Sequence, residues 1–475
     1  MQRSSRYDTR APFGLGLLGL LVLVALYILP ALAHAPTAWP TFAPLQTGCD
    51  ADRRSVRHAG GVALGAGAYR PCLIDTGMTS GEPGLAITRD GTILRSVATS
   101  PAGIAVSTDN GASWTRRLLP AGTRTGIPDG YLDPVTDRFF YSALGASPVF
   151  ASDDKGATWQ KGVFDSADRY DWNRVFSGRP AAPRGGAYPT NVYYCNMTTP
   201  GGFLTGARCF RSVDGGRTFR TSGADPYRRG DCTNLTQPQG SGMGRGIVDP
   251  ADGTIYIPVH FCGAIELVTS HDEGRTWHRH IVSRMRDSAA KGILNAIASP
   301  AWRRQLVSGR SNAVPAEMAA NQFSDALAMD AAGRLYLQWI DETYLPVLAW
   351  SADKGRTWSR PVRASPPEVV QAVLPSLTVT PEGRVGLSYY GTTDRQGWTG
   401  YLAVSADPTA AAPVFDTASV TRPGRPLMPE ACCWASGPQE YTVARWSPDG
   451  TLWGAFVATV PKGDARGVLG RLVRR

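Results

Sequence analysis

The segment Ser270-His-Asp272-Glu-Gly274-Arg-Thr-Trp277 decides the fold, because four more segments share its pattern. They are Ser107-Thr-Asp109-Asn-Gly111-Ala-Ser-Trp114, Ser152-Asp-Asp154-Lys-Gly156-Ala-Thr-Trp159, Ser212-Val-Asp214-Gly-Gly216-Arg-Thr-Phe219 and Ser351-Ala-Asp353-Lys-Gly355-Arg-Thr-Trp358. Each reads as a hairpin turn with a packed anchor. The Ser hydroxyl and Asp carboxylate can accept backbone N–H groups of the turn, and the Gly can take a positive φ. The aromatic then tucks beneath the turn at the start of the next strand. Five copies in register mark a repeat architecture.

A second pattern alternates with the first: an apolar strand, a tight Asp-Gly-like turn and another apolar strand. It occurs at 85–94, 131–141, 247–257, 327–337, 377–387 and 444–453, with a degenerate copy at 190–197. Two strands from this hairpin and two around the Ser/Asp turn make a four-stranded sheet. Repeating that sheet around an axis leaves only short, protected edges. The expectation is an all-β chain forming a six- or seven-bladed β-propeller, with seven favoured. The hairpin count gives seven units between Glu82 and Arg475, or six if the two ends merge into one closing blade.

The bulk composition agrees. The 475 residues include 53 Gly and 36 Pro, a punctuation hostile to long helices and suited to short strands. The net charge of +10 is carried almost entirely by Arg, with five Lys in the chain. No run of basic residues and no basic stripe with interleaved aromatics occurs, so nucleic acid is not expected as a partner.

Arg3, Arg6 and Arg10 precede an uncharged, mostly apolar run from Ala11 to Ala33. As a helix it would be roughly 34 Å long, enough to span a bilayer. Small-residue cleavage sites follow at Ala31-Leu32-Ala33 and Ala33-His34-Ala35. Residues 1–35 are expected to be a signal peptide or an uncleaved membrane anchor, 36–80 an extension or linker, and 81–475 the propeller. The positive charge before the apolar run directs the remainder out of the cytoplasm. Eight cysteines (Cys49, Cys72, Cys195, Cys209, Cys232, Cys262, Cys432 and Cys433) fit disulfides in that compartment. Cys195 and Cys209 flank a hairpin and could face each other across it. No CxxC spacing or His cluster suggests a metal, and no motif calls for a cofactor.

The five turn segments resemble the Asp boxes, or BNR repeats, of the sialidase superfamily of β-propellers, over roughly Gly81 to the C-terminus. The resemblance implies that the Asp boxes lie on the rim and serve the fold. The pocket then lies at the end of the channel where the innermost strands begin. Repeat phase aims Glu82 and Tyr441 at matching places there, in blades made adjacent by ring closure. Sialidase-like hydrolysis uses three arginines on a substrate carboxylate, a Tyr nucleophile activated by Glu, and an Asp acid/base. The resemblance carries Tyr441, in Glu440-Tyr441-Thr442, onto the nucleophile. Glu82, Glu440 and Asp325 are further candidate catalytic groups, and Arg245, Arg70 and Asp129 are candidate substrate contacts. The family's Arg-Ile-Pro motif is replaced here by Gly81-Glu82-Pro83. The expected function is therefore a sialidase-like propeller that acts on or binds glycans. The alternative is a non-catalytic propeller binding carbohydrate or protein, or acting as a surface assembly factor. His260 is expected to be structural.

Overall fold

The computed structural model describes residues 45, 47–79, 83–97, 102–121, 123, 129–142, 149–166, 171–182, 188–198, 206–228, 231, 242–261, 263–284, 326–395, 397–428, 442–459 and 465–475. The apolar segment 11–33, Cys232, Cys262, Cys432 and Cys433 lie outside them. Pro40–Arg475 forms one compact unit.

The described residues form seven sheets, antiparallel except where Val163–Phe164 pairs in parallel with Thr218–Thr221, and these are the blades of a propeller. From the axis outward, blade 1 runs Leu85–Ile87, Ile93–Val97, Gly103–Ser107 and Thr115–Leu118. Blade 2 is Asp129–Leu132, Phe139–Ser142, Val149–Ser152 and Gln160–Lys161. Blade 3 is Asp171–Gly178, Asn191–Thr198, Gly206–Ser212 and Thr218–Thr221. The copy expected at 190–197 is thus the second strand of this blade. Blade 4 has Ile247–Val248, Ile255–Phe261, Ala264–Ser270 and His278–Arg284, and blade 5 has Ala326–Met329, Leu335–Ile340, Pro346–Ser351 and Val362–Arg363. Blade 6 is Gln371–Val379, Val385–Thr392, Trp398–Ser405 and Val414–Ser419.

Blade 7 closes the ring. Its inner strands are Val443–Trp446, Leu452–Thr459 and Ala465–Arg474, and its outer strand is Tyr69–Thr79 from the opposite end of the chain. The ends merge, and the count is still seven. Residues 48–79 therefore do not form the extension or linker expected at 36–80. Besides the closing strand, the hairpin Val56–Ala59 and Val62–Ala66 extends blade 6, and Gly48–Cys49 pairs with the closing strand. Disulfides join Cys49 to Cys72 and Cys195 to Cys209, both between directly opposed residues of neighbouring strands.

The core lies between blades. Leu94 and Ile104 of blade 1 pack on Phe139 and Tyr141 of blade 2, and Tyr256 and Leu267 of blade 4 pack on Leu335 and Trp339 of blade 5. Leu85 and Ile93 meet Trp453 and Leu469 across the closure. Each blade covers one apolar face of the next, so a ring is the smallest arrangement that leaves no face bare.

The five Asp boxes share one geometry. Each Ser Oγ donates to its Asp and accepts the Gly N–H, the latter at 2.7 to 2.9 Å. The Asp carboxylate also accepts the N–H four residues on, at 2.8 to 2.9 Å. The residue before the Gly and the Gly itself are both left-handed. The Gly is demanded twice, because a Cβ on Gly355 (φ +84°) would come within 2.5 Å of Leu267 in the preceding blade. Trp159 and Trp277 donate from Nε1 to Leu118 and Ala224 of their preceding blades, each at 2.9 Å. These turns are thus inter-blade fasteners on the rim.

The substitution Gly355→Ala should cost about 1–3 kcal/mol, from the strained φ and the clash together, in denaturant unfolding. The turn carboxylates should also set acid stability. Hydrogen bonds from Ser113 and Thr357 hold Asp109 and Asp353 at about 2, below the ordinary 3.8. The stabilisation is present above pH 4 and is lost as pH falls toward 2. Asp353→Asn should therefore flatten the melting temperature against pH between 4 and 2, and acid limbs parallel to the parent's would refute this.

Candidate functional site

Seven inner strands around an axis leave a channel, and a cavity of about 670 Å³ occupies it. All seven blades line it. Toward the Asp-Gly turn end its wall is mostly apolar, with Ile87, Leu132, Ile247, Met329, Val379 and Trp446. The charged lining comprises Arg89 and Asp137 at the turns, which pair with each other, and on the inner strands and their flanks Asp129 of blade 2, Arg174 of blade 3, Arg245 of blade 4 and Arg445 of blade 7.

Local backbone features place each of these groups. Asp129 and Tyr131 are two residues apart on one inner strand and so share its face. Arg174 follows an irregularity in the pairing of Asp171–Gly178 with Asn191–Thr198, the sort of kink that re-aims a side chain. Arg245 sits between Gly244 and Gly246, and a Cβ on Gly246 would lie 2.5 Å from Phe176. That close approach of blades 3 and 4 lets Arg245 reach past blade 3. Its Nη1 donates to the Val175 carbonyl at 3.0 Å, and its Nη2 donates to Asp129. The Arg245 guanidinium also lies 5.3 Å from the Tyr131 ring centre. Tyr131 is no free nucleophile, because its hydroxyl shares hydrogen bonds with Ser177 and burial pushes its pKa up.

Asp129 is paired with Arg245, and its Oδ2 is buried without a hydrogen-bond partner. Arg445 donates to the neighbouring Ala444 carbonyl at 2.7 Å and makes no ion pair with a carboxylate among the described residues. Burial first, then the positive field of Arg245, pushes Arg445 down to about 10, where it remains a cation at neutral pH. Arg445 can therefore take a negative group, with Asp129 Oδ2 able to accept a hydroxyl beside it. No group of three or more His, Cys, Asp or Glu residues suited to a metal occurs among the described residues.

The structure brings together Arg245 and Asp129, two of the expected site residues. Arg70 does not join them, since it lies on the outermost strand of blade 7, opposite Val473. Glu82, Asp325, Glu440 and Tyr441 fall outside the described residues. Their neighbours Pro83, Ala326 and Thr442 do line the cavity. Thr442 is fixed there by donating to the Leu374 carbonyl at 2.8 Å and accepting from Ser388 at 3.0 Å. Burial lowers His260 to about 4, consistent with a neutral structural role. The sequence reading missed Arg174, Arg445 and Tyr131. For Arg445 a signal existed: four residues before their turns, three other units carry Ala86, Ala328 and Thr378, which also line the cavity.

No protein-family model matches the sequence, and no curated protein sequence does. Among solved structures, YCF48 bound to D1 peptide is 13% identical, covering 87% of this chain and 99% of that one at a TM-score of 0.45. NanB sialidase from Streptococcus pneumoniae is 12% identical over 86% of this chain and 71% of that one, TM-score 0.40. The Aleuria aurantia lectin in complex with Fucalpha1-6GlcNAc is 11% identical over 72% and 97%, TM-score 0.40. The seven-bladed architecture rests on the strand pairing of the chain itself.

Removing the carboxylate that pairs with Arg245 should expose the repulsion between Arg245 and Arg445. Asp129→Asn is expected to lower the melting temperature in 50 mM salt and to recover about half of the loss at 0.5 M, where the Debye length is only ~4–5 Å. A deficit that ignores salt would mean that the variant fails for packing reasons instead.

Proposed function

We propose that this chain is an exported propeller whose axial channel binds an acidic glycan, with the sugar's carboxylate held by Arg445 and its partners. The observation that carries this reading is Arg445, a channel cation that makes no ion pair with a carboxylate among the described residues and lies in the field of the Arg245–Asp129 pair. A carboxylate would pair with Arg445, and Asp129 Oδ2 supplies an acceptor for a ring hydroxyl. The likeness of the five rim turns to the Asp boxes of the sialidase superfamily supports a sugar rather than another carboxylate. The apolar run at 11–33 and the two disulfides support export into an oxidising compartment.

Hydrolysis is the chemical extension of this reading. It needs Tyr441 as nucleophile, with Glu440, Glu82 and Asp325 as carboxyl groups around it. A non-catalytic module is favoured by one departure from the sialidase pattern: Glu82 stands where that pattern begins its arginine clamp, and the channel arginines come from blades 3, 4 and 7.

Calorimetry on the full chain in mild detergent should show uronate- or sialate-bearing oligosaccharides binding at least tenfold tighter than neutral ones. Arg445→Met should weaken the acidic ligand by about 10- to 100-fold, the range of a lost charged hydrogen bond. Affinity should also decline as pH rises through about 10, where Arg445 loses its proton. Equal affinity for neutral and acidic sugars would sink the proposal. On fluorogenic glycosides, turnover abolished by Tyr441→Phe would assign hydrolysis, and turnover unchanged would remove Tyr441 from the chemistry.

A further inference from the structure

A second positive centre lies away from the channel, in the seam between blades 7 and 1. Arg95, on the second strand of blade 1 opposite Leu85 and Ala105, is wholly buried. Its guanidinium lies flat against the backbone of Gly467 in blade 7, where any Cβ would fall 1.9 Å from Nη2. Its Nε, Nη1 and Nη2 have no hydrogen-bond partner.

The carboxylate whose field reaches Arg95 among the described residues is already committed. Asp75, on the closing strand, accepts Nη1 of the buried Arg466 at 2.9 Å with one oxygen and the Gly77 N–H at 2.9 Å with the other. Asp75 is thus engaged by Arg466 and leaves the Arg95 guanidinium unpaired. A guanidinium does not shed its proton at neutral pH, and a buried ion without a partner is strongly disfavoured. One further donor is at hand. The Tyr390 hydroxyl of blade 6 accepts the Val457 N–H at 2.7 Å and stands within electrostatic reach of Arg95. Burial keeps it protonated, so its hydrogen is free to be donated.

We propose that this seam binds a small monovalent inorganic anion of the chloride class, gripped by the Arg95 guanidinium with the Tyr390 hydroxyl as second donor. One negative charge balances the Arg95 guanidinium, and its complete burial favours a small ion over an extended one. The elements around it are blade 1, the closing strand with Asp75 and the strand carrying Arg466. Occupancy therefore stabilises ring closure.

Thermal unfolding of the full chain in mild detergent, in 150 mM sodium chloride against 150 mM sodium gluconate, tests this. The melting temperature should be about 2–4 °C higher in chloride, as expected for an ion bound only by the folded state. The difference should vanish in Arg95→Leu. Equal melting temperatures in the two salts, or a difference that survives the substitution, would overturn the proposal. If Arg95→Leu does not fold, bromide-soaked crystals of the unaltered chain provide the readout. An anomalous peak beside the Arg95 guanidinium is expected, and its absence would count against the site.

Discussion

The structure depends on one ladder of hydrogen bonds, in which the strand Tyr69–Thr79 lies along Ala465–Arg474. A propeller is a stack of sheets that each need a neighbour on both faces, so an open stack would leave two apolar faces and an unpaired edge in water. Pairing the two ends of the chain in one blade removes both costs, and the clusters across that joint are as apolar as those elsewhere in the ring. The Cys49–Cys72 disulfide and the hairpin laid on blade 6 reinforce the same joint from the outside.

Closure creates the channel, and the channel explains the placement of charge. A charged side chain inside an inter-blade layer is costly without a counter-charge, which Arg466 meets in Asp75 and Arg95 does not meet among the described residues. On an inner strand, side chains from non-neighbouring blades converge instead. Arg245 of blade 4 reaches Asp129 of blade 2, a contact spanning 116 residues of sequence. Like charges are tolerated there because the cavity is open to solvent and to ligands.

Much of the architecture was legible because its signals are local. A left-handed Gly and a Ser/Asp pair closing a turn are visible within eight residues, and their spacing gives the sheets and nearly gives their number. The closing strand was illegible for a related reason. In blade 7 the place of the Asp box is taken by the break between the chain's two ends, so Tyr69–Thr79 carries no turn motif and read as a linker. Arg174 was missed because blade 3 joins its first two strands through residues 179–190 rather than a tight Asp-Gly turn, which disrupts the repeat phase. Arg445 was within reach, as the one charged residue at a position where other units carry Ala or Thr. The pairing of Asp129 with Arg245 was out of reach, since it requires knowing which blades face each other across the axis.

The same ladder governs when the molecule can be finished. Thr76 and the Gly467 carbonyl that it bonds are 391 residues apart in the chain. A ribosome delivers the first strand long before its partner exists, so blades assembled in order of synthesis must wait as an open arc with sticky ends. Contacts of such separation slow the final step and lengthen exposure to other unfinished chains. Early disulfide formation between Cys49 and Cys72 would pre-shape the waiting strand during that interval. A chain cut short before Ala465 would retain six well-formed blades and still lack a closed ring.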